Sequence, residues 1–240
     1  EGFPDANIKT ENEVFNLVVP RSRCPKCNHL IASSENIPLV SWLLQKGCCK
    51  HCGCKISKRY PSIELLTGFM SLAVAFVVPF GWPLLFALAF TWVLISLTFI
   101  DFDTMLLPDQ LTLPLLWFGL IINISGTFTG LTDAVLGAVF GYLSLWSIYW
   151  GFKLLTGKEG MGYGDFKLLA ALGAWFGWQA LPMIILLSSF AGAIIGIAVI
   201  AASKDKKSRP MPFGPYLAIA GWIYLVYGVE LNELYYSLVL

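Results

Sequence analysis

Two aspartates stand beside long apolar runs. Asp101 ends one such run in Phe99-Ile100-Asp101-Phe102-Asp103-Thr104, and Asp165 closes the glycine-rich Gly162-Tyr163-Gly164-Asp165 that opens another. Acidic residues bordering apolar spans are rare and usually functional. A pair of carboxylates sharing one proton can hydrolyse an amide: one takes a proton from water while the other donates to the carbonyl oxygen. Gly162 and Gly164, on either side of Tyr163, would let a substrate backbone approach closely. A structural reading stands beside this one. Asp165 could cap the helix that follows, and Asp109, after Pro108, is a still more typical N-cap. Asp103 would face roughly the opposite side of a continuing helix from Asp101, so only one of them should join Asp165. The two histidines, His29 and His51, lie far from the apolar runs, and neither a GxSxG nor an HExxH pattern is present.

The six cysteines all fall between residues 24 and 54. Four form the pairs Cys24-Pro-Lys-Cys27 and Cys49-Lys-His-Cys52, with twenty-one residues between them. Two such turns can close a tetrahedral four-sulfur site, which suits a structural zinc with no open coordination position. Asn28 and Gly53, just after each pair, favour the tight turn that leaves backbone N–H groups for sulfur. Cys48 and Cys54 are spare thiols, and a disulfide framework is the alternative in an oxidising compartment.

These groups must be held by membrane helices. The chain of 240 residues is 57% apolar and only 13% charged, with a net charge of +1; soluble domains carry about twice that share of charge. The balance gives no reason to expect a nucleic-acid partner. A bilayer core needs about 20 apolar residues per helix. Seven spans are expected, at about Ser62–Phe80, Trp82–Ile100, Leu111–Ser125, Thr132–Leu155, Phe166–Trp178, Ala180–Ala202 and Phe213–Val229. The third and fifth are short, which suggests burial among neighbours or a start partway into the membrane. Threading them with residues 1–61 in the cytoplasm puts all sixteen Lys and Arg inside or at inner helix ends, including the cluster of Lys204, Lys206, Lys207 and Arg209. Both aspartates then lie at the cytoplasmic end of their spans. The chain begins at Glu1 with no visible signal peptide, so a further N-terminal span is expected in the intact protein.

The expected fold is thus an all-α polytopic membrane protein, with about seven spans here and eight in the intact protein. Residues 1–61 would form a small cytoplasmic tetracysteine zinc domain, and residues 62–240 a transmembrane helical domain in contact with the lipid bilayer.

Several segments together resemble the type IV prepilin peptidases, which are GxGD-type intramembrane aspartyl peptidases of bacteria. They are Glu35-Asn-Ile-Pro-Leu-Val-Ser-Trp42, the two CxxC pairs, Lys58-Arg-Tyr-Pro-Ser-Ile-Glu64, Ile100-Asp-Phe-Asp-Thr-Met-Leu-Leu-Pro-Asp109, Gly160-Met-Gly-Tyr-Gly-Asp-Phe-Lys-Leu-Leu169 and Pro210-Met-Pro-Phe-Gly-Pro215. The resemblance implies that Asp101 and Asp165 are the catalytic pair. It implies substrates that are type IV prepilins or type II secretion pseudopilins, with the leader cut after Gly on the cytoplasmic side of the inner membrane. It also implies N-methylation of the new terminus with S-adenosylmethionine as methyl donor, for which no binding residues are legible. The first membrane helix of the family is absent, and Cys48 and Cys54 are extra to its pattern. The alternative is a polytopic transporter that uses membrane carboxylates for proton or cation coupling. It would place them near the midplane, usually with internal repeats, whereas here both sit near one face.

Overall fold

The computed structural model describes residues 21–158, 160–202 and 211–239. The expected basic cluster Lys204, Lys206, Lys207 and Arg209, and the first twenty residues, lie outside them. The chain divides into two compact units, one up to Gly68 and one from Phe69.

The first unit is built on the cysteine turns. Isolated β-bridges join Arg23 to Leu30 and Cys48 to Lys55. A short helix, α1 (Val40–Leu44), lies between them in sequence. Helix α2 (Arg59–Val77) begins in this unit and runs into the second.

The second unit has helices and no strand among its described residues. Its helices are α3 (Trp82–Thr104), α4 (Asp109–Ile122), α5 (Leu131–Thr156), α6 (Tyr163–Phe176), α7 (Leu181–Ala202) and α8 (Gly214–Val239). Four helical stretches are long and apolar enough to cross a membrane: Arg59–Val77, Trp82–Thr104, Leu131–Thr156 and Trp178–Val199. Helix α4 is shorter but apolar. Phe76, Phe80, Trp82, Leu154 and Leu155 are all largely exposed. Apolar surface on this scale needs lipid rather than water around it.

The centre is α6. Phe166, Leu168, Leu169, Ala171, Leu172, Ala174 and Trp175 have no exposed surface. A helix that is apolar all round belongs in a core, and α6 is enclosed mainly by α5, α4 and α8. Its shortness therefore reflects burial among neighbours. Backbone contact with α5 sets the approach. A β-carbon at Gly137 would collide with the Gly173 carbonyl, and one at Gly173 with the Gly137 carbonyl, so small residues let these helices touch. The far end is fastened by Asn123. Its Nδ2 donates to the carbonyls of Ala174 and Trp175 at 2.9 and 3.0 Å. Its Oδ1 accepts the N–H groups of Phe128 and Thr129 at 2.9 and 3.2 Å. A fully buried amide is tolerated because all its bonds are made.

Among the boundaries that differ from the sequence expectation, three have a cause visible in the structure. Helix α3 runs to Thr104, four residues past Ile100, and stops where Met105 takes a left-handed conformation and returns its N–H to the Asp101 carbonyl at 2.9 Å. Helix α6 starts at Tyr163 instead of Phe166, because Gly162 is extended and acts as its cap. Helix α8 continues past Val229 to Val239 across a non-helical Tyr227 (φ −125°, ψ 20°). Asn232 and the Tyr224 hydroxyl hydrogen-bond across that break.

Candidate active site

Asp101 sits on the last turn of α3 and Asp165 on the first turn of α6. Both are buried, with 4% and 6% of their surfaces exposed. Each is delivered there by a helix end: α3 stops at Thr104, just beyond Asp101, and α6 begins at Tyr163, just before Asp165. The two carboxylates are within electrostatic reach of one another. Asp103, on the same turn as Asp101, is exposed.

Asp165 is the third residue of α6 and not its cap. Its Oδ2 reaches back to accept the N–H of Gly162 at 3.2 Å, while its own N–H returns to the Gly162 carbonyl at 3.3 Å. The Gly162 N–H at the start of the helix thus orients this carboxylate. Asp109 is likewise not a cap. Pro108 occupies the cap position, and both Asp109 oxygens take the Lys167 ammonium, at 2.6 and 2.7 Å. This ion pair joins the start of α4 to α6 two residues beyond Asp165.

Asp101 is held differently. Its Oδ2 is cut off from solvent and makes no hydrogen bond among the described residues. A buried carboxylate oxygen without a partner is unfavourable, which marks Asp101 as a position held there for function rather than for stability. Beside it lies Gly214, the first residue of α8. A β-carbon there would stand 2.5 Å from Oδ2 and 2.9 Å from Leu107 Cδ1. Leu107 also fills the space that Gly164 leaves, since a β-carbon at Gly164 would lie 2.7 Å from Leu107 Cβ. Leu107 therefore wedges between the glycine-rich turn and the start of α8, while Gly162 has only light contacts. The sequence alone assigns no role to Leu107 or Gly214. The Pro212-Phe213-Gly214-Pro215 run is a signal for the second, but nothing marks the first.

In the first unit, the sulfurs of Cys24, Cys27, Cys49 and Cys52 all lie within 4.8 Å of one another. Cys24 and Cys52 are 3.8 Å apart, and Cys27 and Cys49 are 4.0 Å apart. Zinc–sulfur bonds of about 2.3 Å in a tetrahedron put sulfurs about 3.8 Å apart, so the set fits zinc. The two turns are built alike. Asn28 (φ 55°) and Gly53 (φ 69°) take the left-handed conformation, and their N–H groups bond the Cys24 and Cys49 carbonyls at 2.9 and 2.8 Å. Backbone N–H groups of Cys27 and Lys26 aimed at the Cys24 sulfur pull its thiol down to about 6, and the Cys54 N–H lowers that of Cys52. These two thiolates are the readier for a cation; the Cys27 thiol, lowered by the His29 N–H but raised by burial and by the neighbouring sulfurs, is pushed up to about 12. Cys54 corresponds in the second turn to His29 in the first, and its sulfur is 3.5 Å from that of Cys24.

This chain is 62% identical, over 96% of its length and 79% of the other's, to a prepilin leader peptidase/N-methyltransferase of Aeromonas salmonicida. It belongs to the type IV leader peptidase family. A protein of the same name from Stutzerimonas stutzeri is 57% identical over 97% of this chain and 81% of its own. Another from Pseudomonas aeruginosa is 56% identical over 92% and 76%. The family model described as the type IV leader peptidase family matches residues 88–197, which contain both aspartates. The model of the bacterial peptidase A24 N-terminal domain matches residues 5–78, which contain every cysteine. No solved structure matches. Membership of this peptidase family removes the transporter alternative, because the full-length relatives carry peptidase and methyltransferase names.

Proposed function

We propose that this protein cleaves the leader peptide of type IV prepilins or type II secretion pseudopilins after Gly, and N-methylates the residue so exposed. It is a bifunctional enzyme of the membrane. The observation that carries the reading is the buried pair Asp101 and Asp165, brought within electrostatic reach from two helix ends in a chain so similar to enzymes of that name.

Cleavage runs through the pair as a unit. One carboxylate takes a proton from water, and the oxygen so activated attacks the scissile carbonyl. The other donates its proton to the carbonyl oxygen, giving a gem-diol. On collapse of the diol, the carboxylate that is now ionised takes a hydroxyl proton while the carboxyl that is now protonated gives its proton to the leaving nitrogen, which departs as the amine. The Gly162 N–H orients Asp165, and Leu107 and Gly214 hold the neighbourhood of Asp101. Of the two glycines expected to form the substrate loop, Gly162 has the open face that a substrate backbone can approach, whereas Gly164 packs against Leu107.

Residues 1–61 are assigned as the zinc domain and residues 62–240 as the peptidase domain. Zinc held by Cys24, Cys27, Cys49 and Cys52 would close the two turns and stabilise a segment with little apolar core. S-adenosylmethionine is the methyl donor. The protein spans the bacterial inner membrane about seven times, with the zinc domain and the aspartates toward the cytoplasm, as the one-sided Lys and Arg support. Incubating purified protein with a prepilin and S-adenosylmethionine and weighing the product tests the whole reading: a pilin without its leader and one methyl heavier than the unmethylated cleaved chain is expected. An intact leader, or cleavage that survives Asp165→Asn, rejects it.

A further inference from the structure

The aspartate chemistry gives no part to two sequence segments, Glu35–Trp42 and Lys58–Glu64, yet one hydrogen bond joins them. Glu64 Oε2 accepts the Leu39 N–H at 2.7 Å. Leu39 stands just before α1 with a positive φ of 60°, a strained conformation for a leucine, and the bond to Glu64 helps to hold it. Glu64 is the sixth residue of α2, about 8 Å along the helix axis from Arg59. The start of α1 is thereby fastened beside the second turn of a helix long and apolar enough to cross a membrane.

Helix α1 turns Ser41 and Trp42 inward. The buried Ser41 hydroxyl accepts the Ile37 N–H at 3.0 Å and donates to the Ser34 carbonyl at 2.9 Å. Trp42 packs on Gly47, where a β-carbon would stand 2.8 Å from its ring. The outward side is then Val40, Leu43 and Leu44, which share one helical stripe and are 49%, 66% and 78% exposed. Ile37, just before the helix, is 49% exposed as well. Single apolar residues on a surface need no explanation, but a contiguous stripe marks a contact with something else.

We propose that the Val40, Leu43 and Leu44 stripe lies in the bilayer interface, against the lipid of the leaflet at which α2 begins. The placement rests on α2 as a membrane span, as proposed above. Its first support is continuity. Leu65 and Leu66, just beyond Glu64, are 47% and 42% exposed, so the lipid-facing side of α2 begins at the level where α1 is fastened. The interfacial zone on each side of the hydrocarbon is about 5–8 Å deep, which matches the advance from Arg59 to Glu64. Tyr60, 66% exposed, stands where interfacial aromatic residues gather. The second support is charge. Residues 36–63 contain five Lys and Arg and no Asp or Glu, so no carboxylate there repels anionic headgroups. Lys46, two residues after α1, and Lys58, just before α2, are both exposed. The stripe gives the first unit a second attachment to the membrane, so that the cysteine turns do not swing on α2 alone.

The test uses the whole protein in vesicles of phosphatidylcholine and phosphatidylglycerol that include a lipid with a photoactivatable diazirine at the top of its acyl chain. Irradiation, digestion and mass spectrometry then read which peptides touch lipid. Label is expected on residues 37–44 as well as on α2, and not on the turn at His51–Gly53, which is also exposed. Leu43→Gln combined with Leu44→Gln should cut the label on residues 37–44 by about tenfold or more, with zinc content reporting that the unit stays folded. Should that variant lose zinc, Leu44→Gln alone, at the most exposed of the three positions, takes its place. A labelled α2 with no more label on residues 37–44 than on His51–Gly53 overturns the placement, and so does unchanged label in the zinc-replete variant. A stripe that takes no lipid label but cross-links to other helices of the chain, or to a second copy, has that occupant instead and removes the proposal. An α2 without label rejects the span itself, and with it the membrane reading on which the placement rests.

Discussion

Gly214 presses so closely on Asp101 that a β-carbon in its place would stand 2.5 Å from Oδ2. The start of α8 therefore helps to set the position of a carboxylate on α3. Gly214→Ala adds one methyl group and nothing else, and its neighbours are Asp101 and the Leu107 wedge. Displacement of a reacting group by about 1 Å can cost about 10²-fold in rate. A loss of leader cleavage of that order is expected, with zinc content intact. Cleavage at the wild-type rate would mean that Asp101 has slack the structure does not show.

The aspartates themselves give a sharper outcome. Asparagine matches aspartate in shape but cannot exchange the proton. Asp101→Asn and Asp165→Asn should each lower cleavage by about 10²–10⁴-fold, the usual range for a positioned acid or base. The double variant should lose little more, since the pair works as a unit. Asp103→Asn, at an exposed position, should cleave at close to the wild-type rate. Initial rates of leader removal for the four proteins check this, and additive losses would separate the two roles.

What can be read from sequence follows from how local each signal is. The Asp101 and Asp165 pair and the cysteine turns are short contiguous motifs, so residue type and spacing carry them. The helix runs are local too, and each expected apolar run coincides with a helix. Their ends are not local. By sequence Asp165 could be a cap, but Gly162 takes that position because the helix gains a turn from Gly162-Tyr163-Gly164. Asp109 looks like a cap by its place after Pro108, but its partner is Lys167, fifty-eight residues away. Leu107 is invisible in the sequence because its role exists only once two distant glycines converge on it.

The Asp109 and Lys167 pair is half open to solvent, with 52% and 27% of the side chains exposed. Such pairs contribute at most about 1 kcal/mol. Asp109→Asn or Lys167→Met should therefore leave the protein folded. Because the pair joins α4 to α6 two residues beyond Asp165, each variant should slow cleavage modestly, by less than about tenfold for a loss of that size. The double variant should match either single one, since each alone breaks the pair. A full loss of activity in Asp109→Asn would instead give that carboxylate a part in the chemistry.

The cysteines allow the ligand set to be decided by elimination. Four sulfurs satisfy the tetrahedral spacing, but Cys54 lies 3.5 Å from Cys24, nearer than Cys52 at 3.8 Å. The distance to Cys24 alone would favour Cys54, but the set whose sulfurs all lie within 4.8 Å of one another contains Cys52. The turns argue for Cys52: it stands three residues after Cys49 and just before the left-handed Gly53, as Cys27 stands after Cys24 and before Asn28. The Cys54 N–H is directed at the Cys52 sulfur and lowers its thiol, which is how a backbone group serves a ligand. Cys24→Ser, Cys27→Ser, Cys49→Ser and Cys52→Ser should each lower zinc content well below one per chain. Cys48→Ser and Cys54→Ser should retain it. Because thiols must lose their protons to bind, acidification should release the metal, and the cysteine variants should release it at higher pH than the wild type. Metal analysis of the six proteins across a pH series provides the check. Zinc retained in Cys52→Ser but lost in Cys54→Ser would move the fourth ligand to Cys54.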